Sequence, residues 1–469
     1  MDISFKPIAK SQKQKNMKIV IAGAGAVGTH LSKLLSTENH NCVLIDDDEE
    51  RLGGVDSSYD IMAVCDSPTS IRVLRDAGVG SADLFVGVTR HESNNLNACM
   101  LAHALGAQKT VARIDSYEYL QPQNQEIFKK LGVDSLVYPE VLAASDIING
   151  LKLSWVCQRW DVHDGALVLL GIKLRETCKI LNRPLKDLCG PDDPYHIVAI
   201  KRAGETIIPG GLDTLCNGDL AYFMTTSEYI RFIQEIVGKE HYEEIHNVII
   251  MGGGKTAVRA ALTMPDNMHI KIIESSFERC EFLNQVINRD NVLVIHGDGR
   301  DLGLLKEEGI KHTQAFVSLT GNAETNILAC LTAKKLGVRK TVAMVENLDY
   351  VSMAEGLDIG TIINKKTVAA SHIFQMMMKA DVRNVRSLMM ADSDVAEFVA
   401  AEGSKVTKQP VKLLGLPTGI AIGGLVRDGK GILVNGNTQI MPGDSVMVFC
   451  HKHTLDKVER FFKKSLFNL

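Results

Sequence analysis

Ile19-Val20-Ile21-Ala22-Gly23-Ala24-Gly25-Ala26-Val27-Gly28 is an apolar run that breaks into glycines spaced G-x-G-x-x-G. It reads as a buried strand, a tight turn and the start of a helix. Each glycine serves a different end. Gly23 permits the turn, Gly25 lets backbone approach a pyrophosphate, and Gly28 lets the helix pack closely on the strand. The main-chain amides of Gly23 to Gly28, with Ala24, Ala26 and Val27 between the glycines, then face an anion at a helix N-terminus. The next strand ends in Asp46, eighteen residues after Gly28. A carboxylate there accepts hydrogen bonds from the adenine-side ribose and repels a 2′-phosphate, which favours NAD over NADP.

The same pattern occurs again. Val248-Ile249-Ile250-Met251 leads into Gly252-Gly253-Gly254-Lys255-Thr256-Ala257, with Glu274 closing the next strand seventeen residues after Ala257. Gly252 stands 229 residues after Gly23. Further on, Lys109-Thr110-Val111-Ala112 returns as Lys340-Thr341-Val342-Ala343, and Thr89 with Asn95 returns as Thr320 with Asn326, all at an offset of 231. Ala143-Ala144-Ser145 returns as Ala369-Ala370-Ser371, at 226. A near-constant offset over so long a stretch is the mark of a duplication. Gly254-Lys255-Thr256 resembles the end of a P-loop, but Ile249 stands where that motif needs its first glycine.

Apolar strands expected near 18–22, 42–46, 61–64, 84–88, 110–114 and 136–138 alternate with helical stretches, which implies a parallel sheet with right-handed crossovers. The texture then changes to short strands near 166–174, 196–201, 205–209 and 220–225, and again near 396–400, 419–426, 431–434 and 445–450. The expected class is α/β, in two tandem units. Each is a Rossmann-like doubly wound parallel sheet followed by a small α+β subdomain. The expected boundaries are a tail over 1–16, a first lobe over 17–139, a bridging helix and subdomain over 140–235, a second lobe over 246–365 and a second helix and subdomain over 366–469.

A net charge of −4 with 23 % charged residues argues against a nucleic-acid-binding protein. Lys6, Lys10, Lys13 and Lys15 read as a solvated tail. The ten cysteines are scattered without a C-x-x-C, as in a reduced compartment. Cys450 alternates away from His451 and His453, so no metal centre is expected. No apolar stretch approaches the roughly 20 residues that span a bilayer.

Other site candidates follow the strands. Asp66 and Asp298 each follow the third strand of their lobe, where ligand crevices open; contact with ribose or adenine and a plain turn are both open readings. Arg113 ends the fifth strand; pairing with phosphate oxygens and a surface salt bridge are both open readings. Its repeat partner is Met344, so the two pockets should differ in preference.

At Gly23–Gly28, Asp46, Asp66, Thr89 through Asn95 and Ala112-Arg113-Ile114, the chain resembles the RCK/KTN family of potassium-transport regulators, and among them those carrying two full units in one chain. The resemblance covers residues 17–469, including Ile207-Ile208-Pro209-Gly210 and Gly218-Asp219 in the trailing part. It departs at Cys65, where the family usually has glycine. The family's T-x-x-D-E-x-N here reads Thr89-Arg90-His91-Glu92-Ser93-Asn94-Asn95. The resemblance implies a homotetramer ringed under an integral membrane potassium transporter, peripheral on the cytoplasmic face of the inner membrane. It also implies NAD or NADH as ligand, with ATP or ADP competing for the same pocket, no catalysis, and Thr89 at the nucleotide. An NAD-dependent oxidoreductase is the rival reading. It needs an acid–base group beside the nicotinamide, for which only the loop histidines His91 and His296 offer themselves. A regulator of another cation channel or efflux system is a third.

Overall fold

The computed structural model describes residues 17–469 except 38–39, 54–60, 189, 191–192, 358, 378–381, 388–392, 418, 452–453 and 464–469. The lysine-bearing segment 1–16 and His453 therefore lie outside the described residues.

The first lobe holds β1 (Lys18–Ala22), β2 (Asn41–Asp46), β3 (Ile61–Cys65), β4 (Leu84–Gly87), β5 (Thr110–Arg113) and β6 (Ser135–Val137). They form one parallel sheet in the order β3-β2-β1-β4-β5-β6. Ile19, Val20, Ile21 and Ala22 are all fully buried, as a sheet covered on both faces requires. The order reverses between β1 and β4, which opens a crevice at their carboxyl ends.

A five-stranded antiparallel sheet follows: β7 (Gln158–Val162), β8 (Leu167–Lys173), β9 (Tyr195–Arg202), β10 (Glu205–Ile207) and β11 (Leu220–Thr225). The second lobe repeats the first with β12 (Asn247–Met251), β13 (His269–Glu274), β14 (Val292–His296), β15 (Ala315–Ser318), β16 (Lys340–Met344) and β17 (Thr361–Ile363), in the equivalent order. The second antiparallel sheet comprises β18 (Val382–Ser387), β19 (Ser393–Val399), β20 (Ile420–Arg427), β21 (Lys430–Leu433) and β22 (Ser445–His451). Two strands lie outside the sequence expectation, β7 and β18. Both are edge strands rich in polar residues, so neither carries a continuous apolar run. Trp160 and Val162 are the buried alternate positions of β7.

The tandem repeat predicts two similar units divided near residue 240. By compactness the chain separates into two bodies, the first ending at Tyr138 and the second beginning at Pro139. The cause is the first bridging helix, Pro139–Leu151, which buries Ala143, Ala144, Ile147 and Leu151 in the same core as Ala257, Val258 and Ala261 of helix Lys255–Thr263. Small side chains on both helices allow close approach. The two antiparallel sheets share a further core, with Trp160, Leu167, Leu169 and Tyr222 against Val426, Met447 and Phe449.

Lys340, at the start of β16, is 3 % exposed. Its Nζ donates to the Val156 carbonyl and to Thr361 Oγ1 (3.0 Å), and Thr361 in turn donates to the Cys157 carbonyl (2.7 Å). The lysine therefore ties the second lobe to the segment that enters β7. Burial pushes its ammonium down to about 8 from 10.5; Cys157 pulls it up and Lys334 down. Below pH 8 both folded and unfolded states are charged, so the folded chain bears the full cost of the buried charge. From about pH 8 to 10.5 the unfolded state binds more protons, and stability rises with pH. The difference is about 3 kcal/mol at 1.36 kcal/mol per pH unit. Urea unfolding should show parent stability rising relative to Lys340→Met across this window; parallel profiles would contradict it.

Among the described residues no helix is long and apolar enough to cross a membrane, and no group of three or more His, Cys, Asp or Glu is arranged to hold a metal.

Candidate functional site

The first glycine loop leaves β1 with Gly23 at φ +116°, where a side chain is strained. A Cβ on Gly23 would also meet the Thr89 amide nitrogen at 2.7 Å. A Cβ on Gly28 would fall on the Gly23 carbonyl oxygen, so this glycine sets how closely helix Ala26–Thr37 packs. A Cβ on Gly25 would meet nothing within 4 Å. The first helical bond runs from Thr29 N to Gly25 O at 2.9 Å. The amides of Ala26, Val27 and Gly28 thus have no acceptor within the helix, and the Gly25 position beside them is open. This end of the helix can hold a diphosphate.

The second loop follows the same plan with a looser fit. Gly252 has φ +96°, and its Cβ would stand 3.1 Å from Thr320 N. Gly254 faces open space, and Val258 N donates to its carbonyl at 3.1 Å, leaving the amides of Lys255, Thr256 and Ala257 at the helix start. Ala257 is fully buried, so the third position here accommodates a methyl.

The two acids do more than the sequence suggests. Asp46 is 4 % exposed; its Oδ2 accepts from the Ala24 amide at 2.6 Å and its Oδ1 from the Asp48 amide at 3.0 Å. Arg51 Nη1 lies 3.6 Å from Oδ1. Glu274 repeats the brace in the second lobe, accepting from Gly253 N at 2.7 Å and Ser276 N at 2.9 Å. Burial pulls the Glu274 carboxyl up, but the amides of Ser276 and Gly253 and the Ser275 hydroxyl outweigh it and hold it below the usual range. Each acid therefore braces its glycine loop from the end of the neighbouring strand.

On the other side of β1, Thr89 follows β4 and is gripped by Asn95 from helix Glu92–Leu105. Asn95 and Asn326 are both buried, and a Thr-x5-Asn spacing at the common offset was the sequence signal for them. Arg113 is partly engaged within the protein. Its Nη2 donates to Asp115 at 2.9 Å and its Nη1 to Thr89 O at 3.4 Å, while its buried Nε has no partner. Met344, its counterpart, is 5 % exposed.

Asp66 accepts from Arg72 at 2.8 Å and from the Ser67 amide at 2.7 Å, and Asp298 is held by Arg300 through Nε (3.0 Å) and Nη2 (2.7 Å). Hydrogen bonds from Arg300 keep the Asp298 carboxyl below its usual range. Each of these acids is thus paired with an exposed arginine. His91 precedes its helix as an exposed cap without a side-chain capping bond. His296 Nε2 lies 3.1 Å from Ser275 O, edge-on to Phe277.

The family model described as TrkA-N domain matches residues 19–139 and 248–365. The TrkA-C domain model matches residues 395–463. The Trk system potassium uptake protein TrkA of Azorhizobium caulinodans is 30 % identical over 458 residues, 96 % of this chain and 99 % of that protein. The protein of the same name from Vibrio alginolyticus is 30 % identical over 462 residues, 97 % of this chain and all of that one. Among solved structures, the GsuK RCK domain superposes with a TM-score of 0.58 at 16 % identity, covering 97 % of this chain and 98 % of that one. The GsuK channel bound to NAD gives 0.57 at 15 % identity, covering 97 % and 81 %. At such identity the likeness establishes the fold alone.

Proposed function

Because this chain belongs to the TrkA family, we propose that it is the nucleotide-binding regulatory subunit of a membrane potassium uptake transporter. NAD or NADH binds at the loops Gly23–Gly28 and Gly252–Ala257, with Asp46 and Glu274 on the adenine-side ribose. ATP and ADP compete because they present the same adenosine diphosphate. The chain acts as a homotetramer on the cytoplasmic face of the inner membrane and performs no net chemistry. Exchange of nucleotide biases the transporter only if the ligand binds two ring conformations with different affinity.

The observation that carries this reading is the row of helix-start amides at Ala26 to Gly28 beside an open Gly25, closed on one side by Asp46. Relatives named for potassium uptake match along their whole length, which favours uptake over efflux. Among the described residues, neither His91 nor His296 is arranged with a partner as an acid–base pair in its crevice, which weighs against the oxidoreductase.

Titration with NADH tests the site. Asp46→Ala removes a ribose acceptor and one brace of the loop, and should weaken binding in the first lobe about tenfold to a hundredfold, the worth of one or two hydrogen bonds to a charged group. Thermal unfolding should confirm that the lobe remains folded. Unchanged NADH affinity in a folded variant would refute the assignment.

A further inference from the structure

Asn95 commits every hydrogen-bonding position of its side chain to the crevice wall. Its Oδ1 accepts from Thr89 N at 2.7 Å and from Thr89 Oγ1 at 2.6 Å. Its Nδ2 donates to Thr89 O at 3.2 Å and to Arg113 O at 2.9 Å. Two carbonyls need the amide's donors and one main-chain N–H needs its acceptor, so the orientation of the carboxamide is fixed. A threonine hydroxyl has a single proton. Here both acceptors within its reach, Asn95 Oδ1 and His91 O (3.2 Å), belong to the protein. The Thr89 N–H is thus committed to Asn95, and its O–H is satisfied within the protein, so the hydroxyl meets a ligand chiefly through its lone pairs.

The sheet order says which part of a ligand meets Thr89. The glycine loop after β1 takes the diphosphate, and β2 carries Asp46 toward the adenine-side ribose. β4 is on the opposite side of β1, so Thr89 meets the far half of the molecule. In NAD that half is a second ribose with hydroxyl donors. In ATP it is the terminal phosphate, an acceptor. At the start of the adjoining helix, Glu92 adds a carboxylate, fixed by the amides of Asp115 (2.7 Å) and Ser116 (3.0 Å).

We infer that Asn95 is a positioning residue that turns Thr89 into an acceptor, and that this pair selects a dinucleotide whose far ribose donates hydroxyl hydrogen bonds over a nucleoside triphosphate. The inference rests on the nucleotide-binding function proposed for the first crevice. The second lobe keeps the same device. Asn326 Oδ1 accepts from Thr320 N (3.0 Å) and Oγ1 (2.7 Å), and Nδ2 donates to Thr320 O (3.0 Å) and Met344 O (2.8 Å). The bond to residue 344 is to its carbonyl, so the device survives the exchange of Arg113 for Met344.

The test uses the full-length chain carrying Gly254→Asp, which sets a carboxylate against the second diphosphate site and leaves the first lobe to be read alone. NADH and ATP are titrated separately into this parent and into its Thr89→Val and Thr89→Ser derivatives. Thr89→Val keeps the shape and loses the acceptor, so NADH affinity should fall about tenfold while ATP affinity stays within about twofold. Thr89→Ser should restore NADH binding. Asn95→Ala frees the Thr89 donors and should narrow the NADH-over-ATP preference, with thermal unfolding as a check on folding. An equal loss of both ligands in Thr89→Val, no loss of either, or no recovery in Thr89→Ser would overturn the inference while leaving the crevice reading intact. A parent that binds neither ligand would overturn both.

Discussion

Gly28→Ala is expected to abolish measurable nucleotide binding in the first lobe and to destabilise it. The methyl would land on the Gly23 carbonyl oxygen, which is main chain and held by the loop's own bonds, including Gly23 N to Ile45 O at 2.7 Å. The loop must move outward, carrying the amides of Ala26 to Gly28 away from a diphosphate. Overpacking of this kind costs roughly 1–3 kcal/mol in stability, and misplacing several amides should cost at least about a hundredfold in affinity. The second lobe supplies the control. It has Ala257 at the same place, fully buried, on a loop where Gly252 stands further from its neighbours. Ala257→Gly should therefore retain binding and cost about 1 kcal/mol of helix propensity plus about 1 kcal/mol for the buried methyl it removes. Calorimetric titration of both variants with NADH, alongside thermal unfolding, decides. Equal retention of binding by the two would contradict the role given to the third glycine.

A comparably large effect is expected in the antiparallel subdomains, each closed by the same ion pair. Arg202 donates through Nε and Nη2 to Asp219 at 2.9 and 2.8 Å, and through Nη2 to Thr214 O at 2.7 Å. Arg427 donates to Asp444 at 2.8 and 2.6 Å and to Gln439 O at 2.9 Å. The side chains of both aspartates are 2 % exposed. Hydrogen bonding to its aspartate raises each arginine above its ordinary value. Arg427→Met takes the guanidinium from both oxygens of Asp444 and leaves Oδ2 with the Met441 amide at 2.7 Å. An abandoned buried charge costs about 3–5 kcal/mol, so Arg427→Met should lower the unfolding midpoint in urea markedly, and Arg202→Met similarly. Asp444→Asn, which keeps an acceptor, should cost less. A shift in Arg427→Met no larger than that of an exposed substitution would show that the pair is ornamental to the fold.

The glycine loops, the acids that close the next strands and the parallel character of the sheets were legible in the sequence, because motif spacing and strand–helix alternation point to them; the order of the strands was not. Glycine at 23 and 28 answers to a backbone conformation and a close approach that any such turn requires. That Asp46 and Glu274 also brace their own glycine loops was not legible. Their bonds to Ala24 N and Gly253 N depend on where the folded loop aims its amides. For Arg113 the sequence left a phosphate contact and a salt bridge both open. Asp115, two residues on, claims one of its nitrogens. The packing of the first bridging helix on the second lobe was hidden by the duplication itself. Ala143-Ala144 and Ala369-Ala370 are alike, and identical small-residue faces do not say which neighbour each will choose. Asn95 and Asn326 left a trace in the repeat, but the convergence of Thr89 and the carbonyl of residue 113 on one carboxamide belongs to the folded chain alone.

All of this depends on the amides after Gly25 holding a diphosphate while Asp46 addresses the sugar next to it. The decisive measurement is a crystal structure of the full chain grown with saturating NADH. Density for the dinucleotide is expected across β1 and β4, with its pyrophosphate on the Ala26–Gly28 amides and the adenine-side ribose at Asp46. An empty loop at saturation, or a dinucleotide bound away from residues 23–28, would contradict that assignment.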